Sequence, residues 1–324
     1  MTAGPRIALV GTGAMGALHA RVVSQSDRAE LVKVIEPREG AGRSIADRYG
    51  ATWAPSLDTL SDVDAVILAA PTPLHHGLAL DVLRHDTPLL VEKPVCDTLE
   101  CTEEVLAFAA ARDLPLMCGL LERYNPAVAT ALAILDAPVH LTAVRHSPYV
   151  PRIKTGVAWD LLVHDVDLAI RVFGGRDAES VAGSIGHFHP DSLPGAEDVA
   201  DTVLRFPCGG MANVSASRIG QRKVRALVLH EVHRLIEVNL LRNDVTIHRH
   251  VALDTATQVG SGYRQQSIME IPELTTNAEP LATQLDRFLD LLAGTVDASA
   301  ERESVLPSHR VVAQLVRDHC LSPI

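Results

Sequence analysis

Three groups of residues in this chain have the types and spacing to do chemistry. The first is Glu92-Lys93-Pro94, which closes the apolar run Leu89-Leu90-Val91. Proline gives no N–H to a ladder and holds the residue before it extended. A strand through the run must therefore stop near Lys93, at its carboxyl end, which is where open parallel sheets bind ligands. A lysine there can donate to a reacting oxygen; the plainer alternative is a surface lysine paired with Glu92. The second group is Asp160 and His164, four residues apart. On a helix such a carboxylate can orient the imidazole and raise its basicity, although a structural pair in a core or interface has the same spacing. The third is Glu36, which follows the strand Leu31–Ile35 and lies 20 residues after Gly16.

The elements that must position these groups read as a dinucleotide fold. Arg6–Val10 is a short apolar strand, and Gly11-Thr12-Gly13-Ala14-Met15-Gly16 leads from it into a helix reaching about Ser24. In that context Gly11 permits the tight turn, Gly13 lets a pyrophosphate approach the backbone, and Gly16 allows helix and strand to pack closely. The helix N-terminus, at Ala14, Met15 and Gly16, offers its N–H groups to phosphate. An acid at Glu36 suits the ribose hydroxyls of NAD and repels the 2′-phosphate of NADP, with Arg38 softening the preference. The buried strand Asp64–Ala70 is broken by Pro71-Thr72-Pro73-Leu74-His75-His76. Pro71, Thr72 and His76 are expected beside the nicotinamide half, with Glu92 and Lys93, whereas His75 is expected to be exposed. With Pro88–Val95 and Pro115–Leu120 as further strands and helices between them, the first half predicts a doubly wound parallel sheet.

The pattern changes near Leu121-Glu122-Arg123-Tyr124-Asn125-Pro126, so residues 1–122 are taken as the Rossmann domain and 123–324 as a substrate-binding and oligomerisation domain. Strands are predicted at His140–Ser147, Val181–Phe188, Asp201–Phe206, Gly210–Ser217, Arg225–Leu229, Leu235–Leu240 and Val245–His250. Runs of short strands without helices between them imply an antiparallel sheet. The fold class expected is thus α/β, a Rossmann domain followed by an α/β domain with a largely antiparallel open sheet. Helices on one face only leave the other face for a second subunit, so a homodimer or homotetramer is expected. Ala158–Phe173 reads as a mostly apolar helix with a narrow polar stripe of Asp160, His164, Asp167 and Arg171. Asp165 stands outside that stripe. Pro280–Leu292 and Pro307–Cys320 are closing helices. His187, His189, His248 and His250 lack the partners of a metal site and read as surface residues.

Composition narrows the partners. The chain has 324 residues, a formal net charge of −11 and a pI near 5.7, which argues against a nucleic-acid or anionic-membrane surface. The amino terminus lacks the apolar stretch of a signal peptide, and no apolar run is long enough to span a bilayer. Five cysteines without CxxC spacing suit reduced thiols in a cytoplasm.

Taken together, Gly11-x-Gly13-x-x-Gly16, Glu92-Lys93-Pro94, Arg123-Tyr124-Asn125-Pro126 and Gly156-Val157-x-x-Asp160-x-x-x-His164 resemble the Gfo/Idh/MocA family of NAD(P)-dependent oxidoreductases over nearly the whole length. The resemblance implies hydride transfer between a secondary alcohol of a sugar-type substrate and NAD, with NADP less favoured. It implies Lys93, Asp160 and His164 as the catalytic set. Leu121–Pro126, Pro151-Arg152-Ile153 and Asp160–Asp167 are similar to the UDP-N-acetylglucosamine 3-dehydrogenase branch, which implies a nucleotide sugar. In that reading Arg123, Asn125, Arg152 and Lys154 join Asp160 and His164 in contacting substrate; Arg152 and Lys154 are equally readable as solvated loop charges. The same residues also suit reduction of a keto-sugar or cyclic imine, and a dinucleotide-sensing regulator is the non-catalytic alternative.

Overall fold

The structure, a computed structural model, describes residues 4–320 apart from Thr59, Arg152, Gln258 and Val259, with backbone alone at 252–257, 260–265 and Cys320. It divides into two compact units. One takes the chain up to Tyr124 together with Ala278–Ala313, and the other takes Asn125–Asn277 and the chain from Gln314.

The first unit alternates strand and helix: β1 (Arg6–Val10), α1 (Ala14–Gln25), β2 (Glu30–Ile35), α2 (Glu39–Tyr49), β3 (Thr52–Ala54), β4 (Ala65–Leu68), α3 (His75–Arg84), β5 (Leu89–Glu92), α4 (Leu99–Ala111) and β6 (Leu116–Gly119). Among the described residues its six strands are all parallel, in the order β3-β2-β1-β4-β5-β6. Every residue of β4, β5 and β6 is buried, as expected of strands covered by helices on both faces. Starting from β1, the order runs outward in two directions, so β1 and β4 bracket the switch point where such sheets bind ligands. The three-residue β3 is an element the sequence reading lacked.

The second unit opens with α5 (Pro126–Ile134) and β7 (His140–His146), followed by a π-helical turn at Ala158–Leu162 that continues as α6 (Val163–Val172). Then come β8 (Ser180–Gly186), β9 (Val199–Arg205), β10 (Met211–Ser217), β11 (Val224–Glu231), β12 (Arg234–Asn239), β13 (Asp244–Thr257) and β14 (Gly260–Glu270). The sheet order is β14-β13-β12-β11-β7-β10-β9-β8. It is antiparallel except where β10 runs parallel to β7. The exception has a topological cause: the chain crosses from β7 over α6 to the far edge at β8, then returns by two hairpins. β14 and the extension of β13 are additions to the expected strands. In β9 burial alternates with exposure, and Val203 on β9 and Met211 on β10 leave large apolar groups exposed.

Three closing helices follow: α7 (Pro280–Leu292), α8 (Ala298–Glu303) and α9 (Leu306–Cys320). The sequence suggests one break after residue 122, but α7 and α8 belong to the first unit. On α7, Leu281, Leu285, Phe288 and Leu289 enter the core formed by Ile7, Leu9, Val34 and Ile67. Burying each such side chain contributes roughly 1.5–3 kcal/mol, which is what assigns this amphipathic helix to the first unit.

Candidate active site

The glycine loop meets its three requirements separately. Gly11 has φ +93°, and a Cβ there would come within 2.7 Å of the Ala69 carbonyl oxygen. At Gly16 a Cβ would come within 2.1 Å of the Gly11 oxygen, so α1 approaches β1 as closely as only glycine allows. Gly13 caps α1 in extended geometry with nothing within 4 Å of where a Cβ would stand. Its neighbour Ala14 is exposed, and Met15 packs against the core cluster. The first N–H groups of α1 have no intrahelical acceptor by construction and, with the positive end of the helix dipole, make a seat suited to an anion.

Glu36, at the end of β2, stands one loop away. Thr12 donates to its Oε2 through both N–H (3.1 Å) and Oγ1 (2.8 Å), while Arg38 donates Nε to Oε1 at 2.7 Å and Nη2 to Oε2 at 3.1 Å. The Arg38 guanidinium, together with the Thr12 hydroxyl, overcomes the cost of burial and holds this carboxyl at about 2. The Trp53 indole donates to the Glu36 carbonyl at 2.9 Å and lies against Gly42, where a Cβ would be 2.3 Å from the ring. Glu36 and Arg38 line a cavity of about 800 Å³ with Gly11, Ser56, Pro71 and Leu74. These residues fit an adenosine ribose: an ionised acceptor at the wall, apolar surface around it, and the phosphate cradle beside it.

Lys93 directly follows β5, and its peptide bond to Pro94 is cis. Glu92 is buried, with Oε1 2.7 Å from His19 Nε2 on α1 and Oε2 accepting from the Lys93 N–H at 3.3 Å. Gly119 on β6 leaves room for it, since a Cβ there would lie 3.0 Å from Oε2. His75 departs from the sequence expectation. The residue is buried rather than exposed, with Nδ1 2.9 Å from the Pro94 oxygen and Nε2 2.8 Å from the Ala70 oxygen. At the start of α3 it stands between the carbonyls of two strand-end loops, to one of which a neutral ring donates and to both of which a doubly protonated ring donates. His76 instead meets Glu104 of α4 at 2.8 Å. Pro71 begins a short 3₁₀ turn, Thr72–Leu74, that feeds α3.

In the second unit the helix bearing Asp160 and His164 opens with a π turn, in which the Val163 N–H reaches the Ala158 carbonyl. The turn changes the phase assumed for a regular helix. Asp167 is buried and Arg171 exposed, so the expected four-residue stripe divides, and Asp160 and His164 are the half-buried members. Beneath the turn lies Glu197, buried, which accepts from the Ala158 N–H at 2.7 Å; the Val157 N–H reaches its carbonyl at 3.0 Å. Gly156 is the glycine this arrangement needs, because a Cβ would come within 2.1 Å of Glu197 Oε2. Burial pushes the Glu197 carboxyl up, against the pull of the Ala158 N–H. Arg218, also buried, donates Nη2 to Asp160 Oδ2 at 2.6 Å and Nη1 to the Thr155 carbonyl at 2.5 Å. Farther along, Arg145 of β7 grips Asp165 with two bonds of 2.7 and 2.8 Å, both side chains buried. The phase of α6 over the sheet is thus set by Asp165, the residue outside the predicted stripe.

The other expected substrate residues are placed as follows. Arg123 is buried in the first unit, donating to the Ser304 hydroxyl and carbonyl at 2.8 and 2.9 Å and lying 3.6 Å from Glu301. Asn125 caps α5, accepting from the Ala127 and Val128 N–H groups while its amide donates to Asn243. Both therefore have structural duties. Lys154 is exposed, and Arg152 lies outside the described residues. His187 and His250 are exposed, and His189 and His248 half-buried. Among the described residues no cluster of His, Cys, Asp or Glu could hold a metal ion, and no helix is long and apolar enough to cross a membrane. The residues that sequence reasoning missed are His19 in the first unit and Glu197 and Arg218 in the second, each of which meets a partner distant along the chain in its own unit.

Comparison with known proteins bears on family and fold. Residues 5–120 match the oxidoreductase family with NAD-binding Rossmann fold, and residues 134–231 match the GFO/IDH/MocA C-terminal domain. The UDP-N-acetylglucosamine 3-dehydrogenase of Acidithiobacillus ferrooxidans is 26% identical over 291 residues, covering 89% of this chain and 88% of that protein. The inositol 2-dehydrogenase of Mycolicibacterium smegmatis is 30% identical over 290 residues, 80% of each. The scyllo-inositol 2-dehydrogenase (NAD(+)) of Bacillus subtilis is 26% identical over 327 residues, 93% of this chain and 95% of that protein. The solved structure of the Acidithiobacillus ferrooxidans enzyme superposes with a TM-score of 0.79, covering 97% of this chain and 99% of that one at 24% identity, a likeness of fold. The chain belongs to the GFO/IDH/MocA family of NAD-dependent oxidoreductases.

Proposed function

We propose that this protein is a dehydrogenase that oxidises a secondary hydroxyl of a sugar-type substrate with NAD. The observation that carries the reading is Glu36: an ionised, buried acceptor at the wall of the cavity beside the glycine loop. NAD, when bound, supplies the acceptor for the hydride. The chain supplies the rest. His164 takes the hydroxyl proton as general base, because imidazole titrates near working pH. Lys93 donates a hydrogen bond to the same oxygen and stabilises its developing negative charge. Asp160, steadied by Arg218, holds the carboxylate end of this proton-transfer set.

The finer reading is a nucleotide sugar such as UDP-N-acetylglucosamine. It draws support from the Acidithiobacillus ferrooxidans relative, with Arg152 and Lys154 upstream of the π turn as the charges that meet phosphate. A homo-oligomer, dimer or tetramer, is proposed from the exposed Val203 and Met211 on the second sheet, and a cytoplasmic setting from the unpatterned cysteines.

The test is formation of NADH by purified protein with a panel of UDP-N-acetylglucosamine, free hexoses and inositols. Signal only with the nucleotide sugar establishes the finer reading, while signal with a free sugar or inositol keeps the dehydrogenase and removes the branch. Lys93→Ala and His164→Ala are expected to cut kcat by orders of magnitude, roughly 10²-fold or more, with NADH affinity retained. Equal loss of NADH binding would contradict the assigned roles.

A further inference from the structure

Three buried histidines, each from a different helix of the first unit, close on the four-residue turn that carries Lys93. His19 of α1 lies 2.7 Å from the Glu92 carboxylate. His75 of α3 bonds the Pro94 carbonyl at 2.9 Å. His309 of α9 accepts from the Val95 N–H at 3.2 Å through Nε2. Their exposures are 2%, 1% and 0%. Because His309 Nε2 is an acceptor, its proton must sit on Nδ1, which is 3.0 Å from the Val305 carbonyl. His75 extends the network to the preceding strand end through the Ala70 carbonyl at 2.8 Å.

Burying a polar ring costs free energy unless its nitrogens are bonded, and an apolar residue of similar size fills a turn without that cost. Three such rings around Glu92, Pro94 and Val95, the residues flanking Lys93, exceed what packing requires. Their bonds have direction as well as strength, so together they set where the main chain stands on both sides of Lys93. The lysine side chain turns about several single bonds, so its origin and initial direction are what the fold can preset. A displacement of about 1 Å in a reacting group can cost roughly 10²-fold in rate.

We propose that His19, His75 and His309 are positioning residues for Lys93, acting through Glu92, Pro94 and Val95. This rests on the reading of Lys93 as donor to the reacting oxygen. The variants are His19→Leu, His75→Leu and His309→Leu, each with a partner that keeps a polar atom near the original: His19→Gln, His75→Asn and His309→Gln. With the sugar that yields NADH in the panel above, each leucine variant is expected to lose ~10- to 100-fold in kcat per NADH-binding site, with NADH affinity within ~2-fold. The amide variants are expected to recover most of that loss. A second readout needs no substrate and, where a leucine variant fails to fold, is made on the folded amide variants. The acetylation rate of Lys93 by acetic anhydride, followed by peptide mass spectrometry, should shift in proportion to the kcat loss, with Lys33 as the internal reference.

Leucine variants that melt earlier but keep parental kcat and parental Lys93 labelling would make the histidines packing residues only and overturn the proposal. Lys93→Ala, run in parallel, separates the two readings. If that variant turns over like the parent, the role of Lys93 falls; if it is inactive while the leucine variants are fully active, only the histidine proposal falls.

Discussion

Glu36 and Glu197 expose almost equally little surface, 4% and 2%, yet their carboxyls move in opposite directions. Around Glu36 a guanidinium and the Thr12 hydroxyl converge, and the acid is held at about 2. Around Glu197 the principal donor is the Ala158 N–H, and desolvation prevails. What separates the two regions is the charge of the donors together with the depth of protein around each acid, which is greater at Glu197. The consequence suits each place. Glu36, at the wall of the cavity beside the glycine loop, stays an ionised acceptor, as the proposed ribose contact requires. Glu197 lies under the π turn that carries Asp160 and serves the backbone.

Breaking the Glu197 side should have the largest effect. Gly156→Ala places a methyl where Glu197 now stands, and overpacking plus a displaced buried carboxyl should cost ~4 kcal/mol in urea unfolding. A cost under ~1 kcal/mol would show that the turn and the acid are not wedged together.

The next effect is acid lability from Glu36. Its folded carboxyl is lowered from 4.5 to about 2, so the unfolded chain binds the proton first as pH falls. The stability it contributes is complete above about 4.5 and is lost as pH drops toward about 2, on the order of 3 kcal/mol. Glu36→Gln should flatten the stability profile across that window; an unchanged profile would remove the Arg38 and Thr12 account.

The same acid should also decide the cofactor. Glu36→Ser, with Arg38 retained, is expected to raise kcat/KM for NADP relative to NAD by ~10- to 100-fold, because the repulsion of a 2′-phosphate is gone and a guanidinium remains. A ratio that does not move would assign the preference to another residue.

The smallest expected effect belongs to Glu197→Gln. A carboxyl raised in the folded state binds its proton more tightly there, so its contribution is full below the ordinary carboxylate range and declines as pH rises through the raised value. The amide variant should abolish that decline. A decline of the same size in Glu197→Gln would place its origin elsewhere.

Much of this molecule is readable along the chain. The apolar runs before Gly11, Glu36, Pro71 and Lys93 announce a parallel sheet because each is short, aliphatic and broken at its carboxyl end. The fold that follows has Gly11, Gly13 and Gly16 in three distinct backbone roles. Strand direction in the second sheet was less legible, since β10 lies parallel to β7 only because the chain first crosses to the sheet edge and returns through β8 and β9. The helix of Asp160 and His164 was readable as an element but not as a π turn, which one inserted backbone step creates without any mark in composition.

Local sequence thus determined element types, strand ends and the residues at them, because periodicity and proline or glycine chemistry act within a few positions. Tertiary structure alone decided which acids meet which bases. His19 and Glu92 are 73 residues apart, Asp160 and Arg218 58, Ala158 and Glu197 39, and Val95 and His309 214. Such pairs form where helices and strands bury their apolar faces against one another. A buried polar group must then find whatever partner that packing brings within reach.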